Sequence, residues 1–304
     1  MTEAERVLAF ARPVAGDAVI LDTDTYNEID DQFALAYLFK LKKFDIRAIT
    51  AAPFYNDNSS SPEDGMVKSY EEILKLFDLL GESAPVYMGS RTYLPDETTP
   101  VESPAADAII ENARSMAPGK RLYVAAIGAI TNVASAILKA PDIIEKITVV
   151  WLGGHAIDWN DTREFNLFQD VAAARVVFGS GVPLVQLPCM GVVSAFTSSK
   201  YELEHWYAGK NPLADYLCRN TVEYTDKRSG IPCWTKAIWD VTAIGWMAGE
   251  GFMRSRLIPA PIPEYDGHYA IDASRHLICY VDYIERDKLF FDLTEKITGV
   301  APQY

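Results

Sequence analysis

The chain has 304 residues, of which 49% are apolar and 23% are charged. This is the composition of a globular protein, and it excludes a disordered or fibrous chain. Lys and Arg number 28 against 42 Asp and Glu, so the net charge is −14. Such a surface repels phosphate backbones and anionic lipid, so we expect a small-molecule or metal ligand and no nucleic-acid or membrane partner.

Nothing in the apolar pattern or the cysteine usage indicates an exported or membrane-bound protein. The longest apolar runs are about ten residues, too short to cross a bilayer. The start, MTEAERVLAF, is acidic and amphipathic and predicts no signal peptide. The 4 cysteines form no CxxC pair and no Cys/His cluster, which disfavours a zinc site or a disulfide scaffold. We therefore expect a cytoplasmic protein.

Short β-rich apolar segments alternate with amphipathic helical segments over the first 190 residues. The predicted strands are residues 18–21, 45–54, 85–88, 122–127, 147–152 and 183–187. The predicted helices are residues 32–43, 64–80, 105–116, 132–139 and 169–178. This alternation is typical of an α/β fold with a mostly parallel central sheet flanked by helices. Ligand sites in such sheets lie at the carboxyl ends of the strands.

The part of the chain from about residue 190 is richer in helical patterns. We predict helices over residues 200–210, 213–227, 241–249 and 287–297, an extended proline-rich segment over 259–265 and a strand over 277–284. No linker, repeat or low-complexity tract separates this part from the first. The sequence therefore predicts one domain over residues 1–304.

The densest group of acids follows the first predicted strand. Asp22 and Asp24 end the strand, Asp30 and Asp31 begin a helix, and Glu28 lies between the two pairs. Unpaired carboxylates at this density repel one another, which raises the pKa of each. A hard cation removes the conflict, because Ca²⁺ accepts several carboxylate and carbonyl oxygens. Helix capping and strand termination could explain one or two of these acids, but four at one strand end favour a metal site.

At these residues the sequence resembles the inosine/uridine-type nucleoside hydrolase family, whose motif is a strand followed by DxDPGxDD. This chain has two more residues between its aspartate pairs and lacks the Pro-Gly. The later segments PVYMG, AIGAITN, WLGG and EFN, the helix over 169–178 and an aspartate at 240 follow in the family's order. The resemblance implies a Rossmann-like open sheet. It also implies a Ca²⁺-dependent hydrolase that cleaves the N-glycosidic bond of a ribonucleoside or a related N-riboside to free base and ribose.

The resemblance also implies roles for individual residues. The Ca²⁺ ligands are expected to be Asp24, Asp31, the carbonyl of Ile127 and Asp240. Asp24 is also the candidate general base, and Asp30 is expected to accept a hydrogen bond from a ribose hydroxyl. The further substrate contacts implied are Asn56 (with Asn58 as a nearby alternative), Asn160, Glu164 and Asn166.

On the side of the nucleobase the chain departs from the family. Trp239 stands where some members have a histidine that protonates the base, and Trp has no transferable proton at neutral pH. We expect Trp239 to stack on the nucleobase, with core packing as the alternative. His155 is a candidate pocket residue or a loop residue. Arg163 is either a contact for an anionic substrate group such as a phosphate or a surface charge.

Two other functions fit part of the sequence. A haloacid-dehalogenase-type phosphatase also begins with a strand and an Asp-x-Asp pair, and would use Asp22 as nucleophile and Asp24 as acid/base with Mg²⁺. That family does not explain Asp30, Asp31 or the later segments. The altered loop and Trp239 suggest instead a ribose- or nucleoside-binding protein that kept the fold and lost turnover. An aromatic content of 12% leaves room for a homo-oligomeric interface, in a dimer or tetramer.

Overall fold

The computed structural model describes residues 1–249 and 251–300. Its strands are β1 Ala18–Thr23, β2 Asp45–Ala51, β3 Val86–Met88, β4 Leu122–Ala126, β5 Ile147–Leu152, β6 Leu184–Leu187, β7 Thr197–Ser199, β8 Thr235–Ala237, β9 Met253–Pro259, β10 Ile262–Pro263, β11 Tyr269–Ala270 and β12 Leu277–Ile284. Eight of them form one sheet in the order β3-β2-β1-β4-β5-β6-β12-β9. All neighbours in it are parallel except β12 and β9. The predicted α/β class is therefore confirmed.

Helices cover both faces of this sheet. They are α1 Glu3–Leu8, α2 Asp31–Lys40, α3 Pro62–Leu80, α4 Pro104–Ser115, α5 Thr131–Lys139, α6 Phe165–Gln169, α7 Val171–Gly179, α8 Lys200–Trp206, α9 Pro212–Ser229, α10 Val241–Ala248 and α11 Arg286–Thr298. Every residue of β1, β4 and β5 is buried. Along β1, Val19 and Leu21 join one apolar cluster while Ala18 and Ile20 join the other, as alternation across a two-faced sheet requires. No helix in the described ranges is long and apolar enough to cross a membrane.

Several elements differ from the pattern in the sequence. The predicted helix over 169–178 is present as α7, but it begins two residues later, because the Asp170 carboxylate accepts the Ala173 N–H at 2.9 Å and caps α7 there. The pattern also missed α1 and the edge strand β9. In β9 the run from Arg254 to Leu257 is exposed, so its polar residues are typical of a loop as much as of an edge strand.

The strand order reverses direction between β1 and β4, which is where open parallel sheets bind ligands. Asp22, at this edge of β1, accepts hydrogen bonds from Thr50 Oγ1 at 2.7 Å and Asn132 Nδ2 at 2.8 Å. The Asn132 side-chain oxygen accepts the Ser90 N–H at 2.8 Å. Asn132 therefore ties the ends of β1 and β3 to the start of α5.

We predict that Asn132→Ala lowers the free energy of unfolding by about 2–3 kcal/mol, because it leaves buried hydrogen-bonding groups unsatisfied. Asn112→Ala is the matched control, since its amide donates to Ala108 within α4, and we expect a change within about 0.5 kcal/mol. Urea unfolding measures both. Equal stability of the two variants would contradict the anchoring role of Asn132.

Candidate functional site

Three buried carboxylates meet at the carboxyl edge of the sheet. Asp30 and Asp31 lie at the start of α2 and Asp240 precedes α10. One oxygen from each lies within 4.8 Å of the other two. Asp30 and Asp240 occupy N-cap positions, yet neither side chain makes a capping hydrogen bond. Helix capping therefore does not explain these acids, whose side chains turn towards one another.

Asp24 lies beside these three residues, and its carboxylate lacks hydrogen bonds. The side chain is fully buried, and neither oxygen has a hydrogen-bond partner within the described chain. Gly128 abuts it, since a Cβ built there would come 3.0 Å from Asp24 Cγ. Burial, followed by the charges of Asp31 and Asp30, raises the pKa of Asp24 well above its usual range.

The same repulsion acts on the other members of the cluster. Burial is the largest cause that raises the pKa of Asp240, and the charges of Asp30, Asp31 and Asp24 follow. Burial and the charge of Asp30 raise the pKa of Asp31, although the Thr23 hydroxyl donates to it at 2.5 Å. The cluster is thus a concentration of buried negative charge in need of a positive partner.

These residues fit a hard divalent cation. The donors are carboxylates and a neighbouring carbonyl, the ligand set that Ca²⁺ and Mg²⁺ prefer. The Ile127 carbonyl accepts Asn166 Nδ2 at 3.1 Å and keeps a second lone pair. A cation would also give the orphaned oxygens of Asp24 a partner. The three carboxylates within 4.8 Å of one another include Asp30, for which the resemblance implies a contact with a ribose hydroxyl. They do not include Asp24, which the resemblance implies as a ligand.

A cavity of about 300 Å³ opens in front of the cluster. Its lining includes these predicted residues: Asp30, Asn56, Ile127, His155, Arg163, Glu164, Asn166, Trp239 and Asp240. Its apolar wall is formed by Leu152, Phe165, Met190 and Trp239. Asp24 and Asp31 are buried and are not among the lining residues. Asn160 is exposed and does not line the cavity. Asn58 does not line the cavity either, but its Nδ2 donates to the carbonyl of the lining residue Asn27 at 2.8 Å.

Hydrogen bonds hold Glu164 and Asn166 at the carboxyl ends of β4 and β5. The Glu164 carboxylate accepts the N–H groups of Gly154 at 2.8 Å, Asn166 at 2.9 Å and Leu167 at 2.9 Å. Asn166 Nδ2 donates to the carbonyls of Ile127 and Leu152, which follow or end these two strands. The predicted sugar contacts are therefore fixed relative to the Ile127 carbonyl.

The loop between Asp24 and Asp30 supplies two cavity residues that we did not predict, Asn27 and Glu28. Glu28 is paired with Lys236, and it accepts the Tyr224 hydroxyl at 3.1 Å. Asn27 is held by Asn56, whose Nδ2 donates to its side-chain oxygen at 2.6 Å. The sequence signal for this altered loop is its length, since the chain has two more residues between its aspartate pairs than the family motif.

Asp22 does not belong to the cavity. It is fully buried, bonded to Thr50 and Asn132, and burial raises its pKa to about 6. A nucleophile must reach the phosphorus atom that it attacks. The burial of Asp22 and the two hydrogen bonds to its Oδ1 disfavour the phosphatase interpretation.

The model of the family described as inosine-uridine preferring nucleoside hydrolase matches residues 19–283. The chain belongs to this family of N-ribohydrolases. The resemblance seen in the sequence is thereby confirmed. Among curated relatives, the uncharacterized protein C1683.06c of Schizosaccharomyces pombe is 32% identical over 154 residues, which are 42% of this chain and 49% of that protein. The pyrimidine-specific ribonucleoside hydrolase RihB of Escherichia coli O1:K1 / APEC is 40% identical over 75 residues, 24% of each chain. These matches span about half of such relatives or less.

Solved structures share the fold over almost the whole chain. A plant nucleoside hydrolase, the PpNRh1 enzyme, has a TM-score of 0.77 at 19% identity and covers 93% of this chain and 99% of its own. The purine-preferring ribonucleoside hydrolase from Gardnerella vaginalis has a TM-score of 0.76 at 19% identity, covering 94% and 99%. At this identity the likeness establishes the nucleoside-hydrolase fold of the chain.

We predict that a divalent cation stabilises the protein after treatment with EDTA. A ligand that binds the folded state at a hundredfold excess over its Kd adds about 2.7 kcal/mol, which raises the unfolding midpoint by about 5 °C. Asp31→Asn should abolish this shift, whereas Asp78→Asn, an exposed aspartate of α3, should keep it. If the unfolding midpoint of the native chain is the same with and without Ca²⁺ or Mg²⁺, the proposed metal site is wrong.

Proposed function

We propose that the protein is a Ca²⁺-dependent hydrolase that cleaves the N-glycosidic bond of ribonucleosides, or of a related N-riboside, to free base and ribose. The observation that carries the proposal is the group of buried acids and a carbonyl beneath a nucleoside-sized cavity. It lies at the strand reversal of a chain that belongs to the nucleoside hydrolase family.

Asp24, Asp31, Asp240 and the Ile127 carbonyl are the proposed Ca²⁺ ligands. When bound, the cation supplies positive charge that orients ribose hydroxyls and lowers the pKa of the attacking water. The Asp24 carboxylate is the proposed general base, and its freedom from protein hydrogen bonds supports this role.

The reaction forms a bond between the water oxygen and C1′ of ribose while the C1′–N bond breaks. Positive charge develops on the sugar, and the electron pair of the broken bond leaves with the base. Asp30 accepts a hydrogen bond from a ribose hydroxyl, and its negative charge also favours the cationic sugar. Glu164, Asn166 and Asn56 are the proposed remaining sugar contacts. Asn160 would reach the sugar only after a movement of its loop.

The apolar wall is the proposed site of the nucleobase. Trp239 N donates to Asp30 at 2.8 Å, which ties the aromatic residue to the sugar side of the cavity. A ring in this position can stack on a planar base. The relatives named above are pyrimidine-specific in one case and purine-preferring in another, so both classes of base belong in the substrate test.

Three further proposals rest on the sequence: a single domain over residues 1–304, a homo-oligomer (dimer or tetramer) and a cytoplasmic location. No linker or repeat divides the sequence, and its aromatic content of 12% leaves room for an interface between subunits. The 4 widely spaced cysteines are typical of a reducing compartment. Size-exclusion chromatography with light scattering tests the oligomer directly.

We predict that the native chain with Ca²⁺ releases free ribose from at least one member of a panel of purine and pyrimidine nucleosides. Asp24→Asn should lower kcat by about 10²- to 10⁴-fold, because it removes the base and a negatively charged Ca²⁺ ligand while it keeps the side-chain volume. Asp57→Asn, at an exposed aspartate, is the matched control and should retain turnover. A reducing-sugar assay measures all three proteins.

Each alternative has its own outcome in the same assay. Undiminished turnover in Asp24→Asn would remove Asp24 from the chemistry. Nucleoside binding without ribose release would identify a binding protein that lost turnover. Inorganic phosphate released from sugar phosphates would identify a phosphatase.

A further inference from the structure

The departing base needs a hydrogen-bond donor, since the electron pair of the C1′–N bond places negative charge on its ring. This need follows from the proposed function, on which the present inference rests. Among the cavity residues described, Asn166 and Asn56 already donate to protein atoms. The Cys189 thiol is buried against Glu164 and is not free to turn to a ligand. Asn27, His155, Trp239 and the exposed Arg163 are left as side-chain donors, and of these His155 lies beside Met190 of the apolar wall.

His155 has a fixed orientation. It follows β5 and the Gly153-Gly154 turn, and its segment pairs with the chain after β6. Cys189 N donates to Gly154 O at 2.8 Å, and Ala156 N donates to Met190 O at 2.9 Å. Met190 N also donates to His155 Nδ1 at 3.2 Å. These bonds place the imidazole beside Met190, a residue of the apolar wall.

The same contact selects the tautomer of the ring. Because Nδ1 accepts the Met190 N–H, the proton of the neutral imidazole lies on Nε2. Nε2 itself has no hydrogen-bond partner in the described part of the chain. Burial lowers the pKa of His155, which favours this neutral form. The rings of His155 and Trp159 pack edge to face with centroids 6.0 Å apart, which limits rotation of the imidazole.

We propose that His155 Nε2–H donates a hydrogen bond to the departing nucleobase on the apolar wall of the cavity. The C1′–N bond breaks, its electron pair goes to the base, and the hydrogen bond stabilises the negative charge there. The imidazole keeps its proton, and water supplies the proton that completes the free base. His155 thus assists departure of the base by a hydrogen bond, whereas Trp239 has no proton to transfer to it.

The test compares substrates whose leaving groups need this help with one that does not. The bases of purine and pyrimidine nucleosides leave as anions that are poorly stabilised. The 4-nitrophenolate released from 4-nitrophenyl riboside is a better leaving group, because its nitro group stabilises the negative charge. His155→Asn keeps an oxygen near the Nδ1 position for the Met190 N–H and removes the donor at Nε2. His155→Gln restores a donor near Nε2. Trp239→Phe keeps a stacking ring and removes the indole N–H.

Loss of a hydrogen bond to a charged group predicts that His155→Asn lowers kcat/KM for nucleosides by about 10- to 100-fold. The same variant should change kcat/KM for 4-nitrophenyl riboside by less than about 3-fold, since that leaving group gains little from a hydrogen bond. His155→Gln should recover much of the loss on nucleosides. The native chain must cleave nucleosides in this experiment, which separates failure of the proposed function from failure of the role of His155.

Three results would overturn the role of His155 while the proposed function stands. In the first, His155→Asn lowers the rates on nucleosides and on the aryl riboside equally, as a purely structural role would. In the second, His155→Asn and the native chain have the same nucleoside kinetics. In the third, Trp239→Phe alone shows the leaving-group-dependent loss, which would assign the donor to the indole.

Discussion

Four buried carboxylates converge at the strand reversal, and burial raises the pKa of each of them even though the charge of Lys236 acts to lower that of Asp30. Asp24, Asp30, Asp31 and Asp240 come from the ends of β1, α2 and α10, so the fold brings like charges together from distant parts of the chain. Buried like charges cost free energy unless they are protonated or paired. The divalent ion that we propose would pair with these charges when bound.

The surrounding elements hold this arrangement in place. Asn132 fixes Asp22 and the end of β1, while Asn166 joins the Ile127 carbonyl to the end of β5. Glu28 and Lys236 connect the loop after β1 to β8. Asp30 and Asp240 line the cavity together with the apolar residues Leu152, Phe165, Met190 and Trp239. In the proposed reaction the acidic residues would stabilise a sugar that becomes cationic, and the apolar residues would contact the base.

Much of the fold and part of the site could be predicted from the sequence, because strand–helix alternation and acids at a strand end are local signals. The placement of Asp240 beside Asp31 came from the resemblance to the family, since no local pattern links residues so far apart. The pairing of Glu28 with Lys236 could not be predicted for the same reason. The edge strand β9 was missed because one exposed, polar edge lacks the periodicity of a buried strand.

The most direct test is a crystal structure of the full chain grown with Ca²⁺, with anomalous scattering used to locate the ion. We predict one cation bound by Asp24, Asp31, Asp240 and the Ile127 carbonyl, which would give the two Asp24 oxygens a partner. A site that stays free of metal at saturating Ca²⁺, with these carboxylates sharing protons among themselves, would contradict it.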